Sequence, residues 1–473
     1  MASPDKHSSG AETVRALARV VLARTTTEIE ASAIHQAQLL LLDTIACGIA
    51  GVQDRVARAV TDAVLKDGAL AQCALIGRKE KTSLLNAVLA NGVAVRVLDL
   101  NDYFIGDSKG EPENAGHPSD NIPVALAAGA ARACTGAEIL ASIVIGYELY
   151  ARLQHLTDRD SPWDAVTVSG LVAPAMAGRL LGLDEERLAH ALALGAVRAA
   201  TPAIVRTGHI SASKSIANAL VAQAGVQAAL FAESGLTGPL PILDDARGLR
   251  DVFPNGDFSE LVAPMPGTGA IIGAHVKAYP CVNTGQSAVS AALELHKMLD
   301  GSTDGVVSLD LIMADYTVIK RHQGDKGRAR PASREAADHS FPFIVAVTLI
   351  DGAFGIAQFD NERWRDPRVV ALMEKIAMRR EASLNARAPG AFPCLIRARM
   401  KDGRELAAET DYPPGFSRTG LDEAAVLEKF HAVTAPMLEA SARGRIVDAA
   451  MDLHHARSTA ELDAAISIEG IHP

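Results

Sequence analysis

Aromatic side chains are scarce in this sequence, at 4% of residues, and cysteine is scarcer still, with five in 473. So few Tyr, Phe and Trp beside abundant Ala and Leu disfavour a sandwich or barrel. They favour helices packed closely through small side chains. The cysteines (Cys47, Cys73, Cys134, Cys281, Cys394) lie far apart and form no CxxC pair. They outline neither a disulfide framework nor a zinc site, they do not gather for an iron–sulfur cluster, and they suit a reducing compartment. No block of Lys or Arg offsets the net charge of −10, so neither a nucleic acid nor an anionic membrane is an expected partner. No uninterrupted apolar run reads as long enough to span a bilayer. Residues 1–10 are polar and lack the apolar core of a signal peptide, and a cytoplasmic location is expected.

The common catalytic signatures are missing too. There is no G-x-S-x-G elbow, no G-x-x-x-x-G-K-[ST] loop and no H-E-x-x-H pair. The nearest approach to a dinucleotide fingerprint, Gly267-Thr268-Gly269 with Gly273, has the wrong spacing and follows Pro264-Met265-Pro266. Serine hydrolysis, phosphoryl transfer and hydride transfer lose their main support. An enzyme with this sequence is expected to work with side chains alone, without cofactor or metal.

What is present is ordinary globular composition, 48% hydrophobic and 22% charged, in a chain long enough for two or three domains. Helical periodicity runs almost unbroken from about Glu12 to Leu236, through 34–49, 85–98, 122–133, 137–152, 170–181, 188–199 and 214–233. Gly182 and Gly235 stand where helices end, and Asp184 where one begins. After about Gly267 the pattern changes. Ser308 to Tyr316 reads as a strand, 392–400 and 404–411 flank the turn signal Asp402-Gly403, and a helix is expected over 334–349. Helix returns beyond Leu421. The expected fold is mostly α. A helical main domain spans 11–266, an α+β domain 267–412, and a segment returning to the helical domain 413–473. Strands gathered in one region argue against a doubly wound sheet.

One long polar loop, Asn101 to Asn121, interrupts the helices, and loops of that length are commonly functional. It opens with Arg96-Val97-Leu98-Asp99-Leu100-Asn101-Asp102-Tyr103 and closes with Gly116-His117-Pro118-Ser119-Asp120-Asn121. Two carboxylates three residues apart face roughly one side of a helix end, and the residue before a proline is extended, which lets His117 project. A histidine beside a carboxylate can carry a proton near neutral pH. The plainer alternative is that the aspartates cap helix ends and His117 bonds a carbonyl.

These stretches, taken with four others, resemble the MmgE/PrpD family, which includes 2-methylcitrate dehydratases, cis-aconitate decarboxylases and iminodisuccinate epimerases. The others are Gly146-Tyr147-Glu148, Lys214 in Ser211-Ala212-Ser213-Lys214-Ser215, Lys277-Ala278-Tyr279-Pro280-Cys281, and Ser333-Arg334-Glu335-Ala336-Ala337-Asp338-His339-Ser340-Phe341-Pro342-Phe343. The ordered set covers nearly the whole chain. The resemblance implies a helical domain bearing a smaller α+β lid, an active site in the cleft between them, and a homodimer. It implies Asp99, His117, Lys214 and Tyr316 as catalytic positions. Three positions depart from the decarboxylase branch: Tyr103 replaces a threonine, Val282 replaces a histidine, and another histidine falls in Pro162-Trp163-Asp164. Asn101-Asp102, the His117 motif and Gln286 look more like the dehydratase branch.

The implied substrate is a polycarboxylate and the implied reaction is its dehydration, with epimerisation, decarboxylation or binding without turnover as alternatives. A trianion approaching an acidic protein needs local cations. Lys214 at a helix start combines an ammonium with the helix dipole. Arg206, His209, Lys277 and Arg321 are plausible companions, with Asp102, Tyr103, Gln286 and His339 as further binding positions. Which group is acid and which base is open at this level. The Pro- and Gly-rich crossings at 264–269 and 412–415, and the loop 104–116, suggest a lid that closes over the site.

Overall fold

Small residues set how closely the helices approach. Helix Ala31–Gly51 crosses Leu84–Arg96 so tightly that a Cβ on Gly51 would stand 1.8 Å from the Ala94 carbonyl oxygen. Helix Ser213–Glu233 also lies against Leu84–Arg96, where a Cβ on Gly92 would come within 2.9 Å of Ala219. These crossings bring the turn after Arg96 beside the first turn of Ser213–Glu233, and the site is built there.

The computed structural model describes residues 10–468, apart from 106, 109–110, 113–115, 159–160, 251, 255–256, 388–390 and 418. The fold is mostly α, as expected. Helices Gly10–Ala23, Gly136–Leu156, Ser169–Leu180 and Glu185–Val197 complete the helical body. Helices Glu423–Thr434, Ala440–Met451 and Ala460–Ile466 return to it, and their Val426, Phe430, Ile446 and Leu462 share one apolar core with Leu17, Leu40 and Val226. Asp184 caps its helix by accepting from the Arg187 amide, and Gly182 and Gly235 take φ of +75° and +89° past their helix ends. Features of the body that escape the periodicity include helix Arg55–Lys66, capped by Asp54, and two-residue ladders pairing Cys73–Ala74 with Lys81–Thr82 and Asp107–Ser108 with Glu111–Pro112. The body is therefore not wholly helical.

The expectation that no apolar stretch is long enough to cross a bilayer is corrected. Helices Ala31–Gly51 and Ser213–Glu233 each run 21 residues and are apolar enough by composition, although residues such as Asp43 and Asn218 interrupt their apolar runs. Within the fold, 94% and 61% of their apolar windows are buried. The pair Phe341–Asp351 and Ile356–Arg365 passes the same test only as a unit bent by 113°.

A second core, from Cys281 to Ala408, lies in a four-stranded mixed sheet and its covering helices. Strand β1 is Val306–Ala314, β2 Ile376–Glu381, β3 Cys394–Met400 and β4 Glu405–Thr410, in the order β2-β1-β3-β4. β1 and β2 are parallel with Leu309 opposite Ile376, whereas β3 is antiparallel to β1 with Ile396 opposite Leu311. β3 and β4 form the expected hairpin, turned by Gly403 at φ +86°. Buried Cys394, Ile396, Ala398 and Met400 alternate with exposed Arg397 and Arg399, so one face packs and the other meets water. Helix Gln286–Met298 lies on β3 and β4, and Phe341–Asp351 packs on that helix. Strand β2 is not visible in the pattern because Arg379, Arg380 and Glu381 give it the polar character of an edge strand.

The helix expected over 334–349 is two helices, Arg334–Ala337 and Phe341–Asp351. Ser340 caps the second by accepting from the Phe343 amide, and Pro342 fits its first turn but could not continue a helix from before it. The break frees Asp338 and His339 to face the helical body. The first chain crossing is also more firmly tied than its Pro and Gly content suggests. Arg24 donates to the Met265 and Pro266 carbonyls, Arg152 to those of Leu261, Ala263 and Pro264, and Glu148 accepts from the Ala270 amide. At the second crossing, the Ser417 amide donates to His275 Nδ1 at 3.0 Å, and Phe416 stacks on His275 at 4.4 Å. Of the loop read as a gate, residues 106, 109–110 and 113–115 lie outside the described residues.

Candidate active site

Helix Leu84–Arg96 ends in a turn whose pivot, Asp99, takes the left-handed conformation at φ +54°. An L-residue with a full side chain is disfavoured there, so its surroundings must hold it. They do so with cations. Arg96 Nη1 donates to Asp99 Oδ1 at 2.7 Å and Lys214 Nζ to Oδ2 at 3.1 Å. Lys277 Nζ donates to both the Asp99 carboxylate and its backbone carbonyl. All four residues are buried. Burial alone would raise the Asp99 carboxyl, but Arg96, Lys214 and Lys277 outweigh it and hold the group well below its ordinary range.

Asp338 and His339 complete the cluster from the mixed region. Lys214 Nζ donates to Asp338 Oδ1 and Oδ2 at 2.7 and 2.8 Å and stands 3.2 Å from His339 Nδ1. His339 Nδ1 also contacts Asp338 Oδ1 directly. With Nδ1–H directed at a carboxylate, Nε2 is the nitrogen left with a lone pair. Burial, reinforced by Lys214, keeps the His339 imidazole well below its usual range and therefore neutral. Asp99, Asp338 and His339 present ligand atoms within 4.8 Å of one another, close enough to hold a metal ion. The Lys214 ammonium donates to both carboxylates, lies 3.2 Å from His339 Nδ1 and so takes the position such an ion would need.

His117 reaches the same place from the long loop. Its Nδ1–H donates to the Asp102 carbonyl at 2.6 Å, and its amide donates to the Tyr150 hydroxyl at 3.2 Å. The plain reading of His117 as a carbonyl partner is thus half of the truth, because that bond fixes the tautomer and leaves Nε2 as the proton acceptor. Burial first, then Arg96 and Lys277, depress its pKa well below the ordinary histidine value. Asp102 itself sits behind His117. Its Oδ1 accepts from the Ser119 hydroxyl at 2.5 Å and its Oδ2 from the Tyr147 hydroxyl at 2.6 Å. With no cation among the described residues bonded to it, burial pushes its carboxyl up to about 7.

An inner cavity of about 70 Å³ is lined by Arg96, Asp99, His117, Asp120, Tyr150, Lys277 and His339, among others. A vestibule of about 480 Å³ shares Arg206, Val282, Asn283 and His339 with it. The vestibule adds Arg321, Lys326 and Arg328. Its four Lys and Arg side chains face two carboxylates, Asp164 and Asp325. Asp164 accepts from Arg206 Nε at 2.6 Å, and Asp325 lies 3.4 Å from Arg328 Nε. The result is a small chamber with two neutral imidazoles, entered through a mouth with an excess of positive charge. Such a site suits a small molecule bearing several carboxylates, held while a proton moves.

The structure brings Asp99, His117, Lys214, Lys277 and His339 together, and it puts Arg206 and Arg321 at the mouth. Lys214 is saturated by Asp99 and Asp338 and does not line either cavity. Tyr316 lies in the core of the mixed region, where its hydroxyl donates to the Asn385 carbonyl at 3.3 Å, and it lines neither cavity. Gln286 is spent on backbone, accepting from the Ala278 and Tyr279 amides and donating to the Tyr279 carbonyl. Tyr103 is buried against His275, 4.9 Å between ring centres, and pairs its backbone with that residue. His209 is exposed and lines neither cavity. Residues that the sequence reading did not select include Arg96, Asp120, Tyr150 and Asp338. Arg96 precedes Asp99 by one helical turn and Asp338 precedes His339 directly, so adjacency was the available signal for both. Nothing in the sequence marks Tyr150, which arrives by helix packing.

The model of the MmgE/PrpD N-terminal domain matches residues 15–261, and that of the MmgE/PrpD C-terminal domain matches residues 279–454. A cis-aconitate decarboxylase of Mus musculus is 24% identical over 427 residues, covering 86% of this chain and 83% of its own. A 2-methylcitrate dehydratase of Salmonella typhimurium is 25% identical over 448 residues, covering 88% and 89%. A cis-aconitate decarboxylase of Aspergillus terreus is 22% identical over 452 residues, covering 90% of each chain.

Proposed function

The chain belongs to the MmgE/PrpD family, and from that premise we propose that it is a hydro-lyase, dehydrating 2-methylcitrate or a related hydroxy-polycarboxylate with its own side chains. The observation that carries this reading is the pair of imidazoles, His117 and His339, on one small chamber beside Arg96 and Lys277. Relatives include both a dehydratase and a decarboxylase. The choice of dehydration rests on Tyr103 and Val282 standing where the decarboxylase branch carries polar residues.

In this mechanism one substrate carboxylate enters the inner chamber toward Arg96 and Lys277, and the others remain in the vestibule near Arg206, Arg321 and Lys326. A free imidazole Nε2 removes the proton from the carbon next to the inner carboxylate. The C–H electron pair forms the double bond, and the C–O bond to the hydroxyl breaks. The other imidazole, protonated once the trianion has brought its charge into the site, gives its proton to the leaving hydroxyl and water departs. Negative charge builds on the inner carboxylate during proton removal, and Arg96 and Lys277 already face that position, which is the electrostatic part of the catalysis. Asp99 and Asp338 steady whichever imidazolium forms.

The test is incubation of purified protein with 2-methylcitrate and with citrate while following alkene absorbance in the ultraviolet. Growth of absorbance with one equivalent of water released supports the reading. Carbon dioxide release from an unsaturated acid moves it to decarboxylation, and solvent deuterium uptake without alkene moves it to epimerisation. Silence with every acid tried, with and without added metal, overturns it in favour of a binding protein on the same scaffold.

A further inference from the structure

The last carbonyls of a helix lack intrahelical donors and carry its partial negative charge. At the end of Leu84–Arg96 three carbonyls in the following turn each accept from a cationic side chain. Val97 O accepts from Arg334 Nη1 at 2.8 Å, Asp99 O from Lys277 Nζ at 3.0 Å, and Leu100 O from Lys429 Nζ at 2.8 Å. The donors come from three separate parts of the chain. Lys277 lines the inner cavity, but Arg334 and Lys429 line neither cavity.

Each of those two outer donors is itself anchored. Lys429, on helix Glu423–Thr434, pairs with buried Asp43 of helix Ala31–Gly51. The Arg334 guanidinium lies 4.7 Å over the Phe359 ring. Between the three carbonyls sits Asp99 at φ +54°, a shape that persists only where its surroundings over-determine it. We propose that Arg334 and the Asp43–Lys429 pair are positioning residues: they clamp the 97–100 turn and so fix the Asp99 carboxylate among Arg96, Lys214, Lys277 and His339. The returning C-terminal helices then contribute to the chemistry without forming any wall of the site. A merely structural ion pair would support the fold and leave the imidazoles unchanged.

The kinetic arm of the test rests on the proposed hydro-lyase activity; a second arm does not. Three forms of the full chain are compared: wild type, the double variant Asp43→Asn/Lys429→Met, which leaves no lone buried charge, and the conservative Lys429→Arg. In the double variant kcat is expected to fall about ten- to a hundredfold, the scale of a reacting group misplaced by about an ångström, with KM within about twofold. Lys429→Arg is expected to recover most of the loss. Independently of turnover, the ring resonances of His117 and His339 in histidine-labelled protein should move in the double variant, while those of His454 and His455 stay in place. Unmoved resonances of His117 and His339, or a loss of kcat no larger than the unfolded fraction, overturn the proposal. Should the wild type turn over no polycarboxylate, the functional reading fails, and the resonances alone decide the clamp. If the double variant does not fold, Arg334→Leu gives the same readouts from the other end of the turn, with the same result expected and the same result overturning the proposal.

Discussion

Asp99 and Asp102 stand at the two ends of one turn, both buried, and their environments are opposite. Asp99 is gripped by Arg96, Lys214 and Lys277 and stays ionised far below the usual carboxylate range. Asp102 meets the hydroxyls of Ser119 and Tyr147 and the Ser119 amide, and its proton remains until about pH 7. Three residues of separation thus divide a permanent anion from a carboxyl that is half protonated at neutrality. The lesson is that a pair of acids in a motif is not a pair of equivalent groups, since the role of each is set by what the rest of the chain brings to it. Here the anion organises the cations around the chamber, and the other acid supports the backbone that holds His117.

Breaking the anionic end should do most damage. Asp99→Asn removes the partner of three buried cations, and the loss of one side of such a cluster costs about 3–5 kcal/mol. Chemical denaturation should register that loss, and turnover should fall below detection. The sign of the pH dependence follows from the depressed pKa. Stability from Asp99 is present above the unfolded carboxyl value near pH 4 and is lost as pH falls through the lower folded value. Next in size, His117→Gln and His339→Gln should each cut turnover by about 10²–10⁴-fold with the fold intact by circular dichroism. An equal loss of stability would return either residue to a structural role.

The neutral end makes a subtler prediction. A raised carboxyl pKa means that the folded protein keeps a proton that the unfolded chain releases, so Asp102 favours the fold least above about pH 7 and most below about pH 4. Stability should decline across that window, by up to roughly 4 kcal/mol from this group at about 1.4 kcal/mol per pKa unit. Melting temperatures of Asp102→Asn should show a shallower slope from pH 5 to 8. Asp120, raised by burial to about 6, keeps part of the slope in both proteins. Smallest of all, Tyr316→Phe should cost about 0.5–1.5 kcal/mol for the lost hydrogen bond to Asn385 and leave kcat near wild type. A large loss of kcat would put Tyr316 back in the site.

Much of the fold was legible because its helices are long Ala- and Leu-rich segments bounded for local reasons, by Gly182 and Gly235 past their ends and by Asp184 at a start. The strand Ile376–Glu381 was not, since an edge strand can be nearly all polar. The break that turns Asp338 and His339 toward the helical body was readable in Ser340 and Pro342, yet the apolar run over 341–349 masked it. Candidate residues that the structure gathers at the inner cavity are those that stand in sequence clusters: Asp99 and His117 in one loop, His339 in its motif. Tyr316 and Gln286 show the limit. Their identities are compatible with chemistry, and only the packing reveals that a backbone carbonyl and two amides already claim them. Lys214 shows the converse, a cation expected to meet substrate that is spent on the protein's own carboxylates.

The contrast between the two aspartates is tested most directly by following their side-chain carboxyl carbons by ¹³C NMR while the pH is moved from 8 toward 4. Asn substitutions at 99 and 102 assign the two signals. The account predicts that the Asp102 signal titrates near pH 7 while the Asp99 signal keeps its ionised position throughout. Two signals titrating together near the ordinary aspartate value would contradict it.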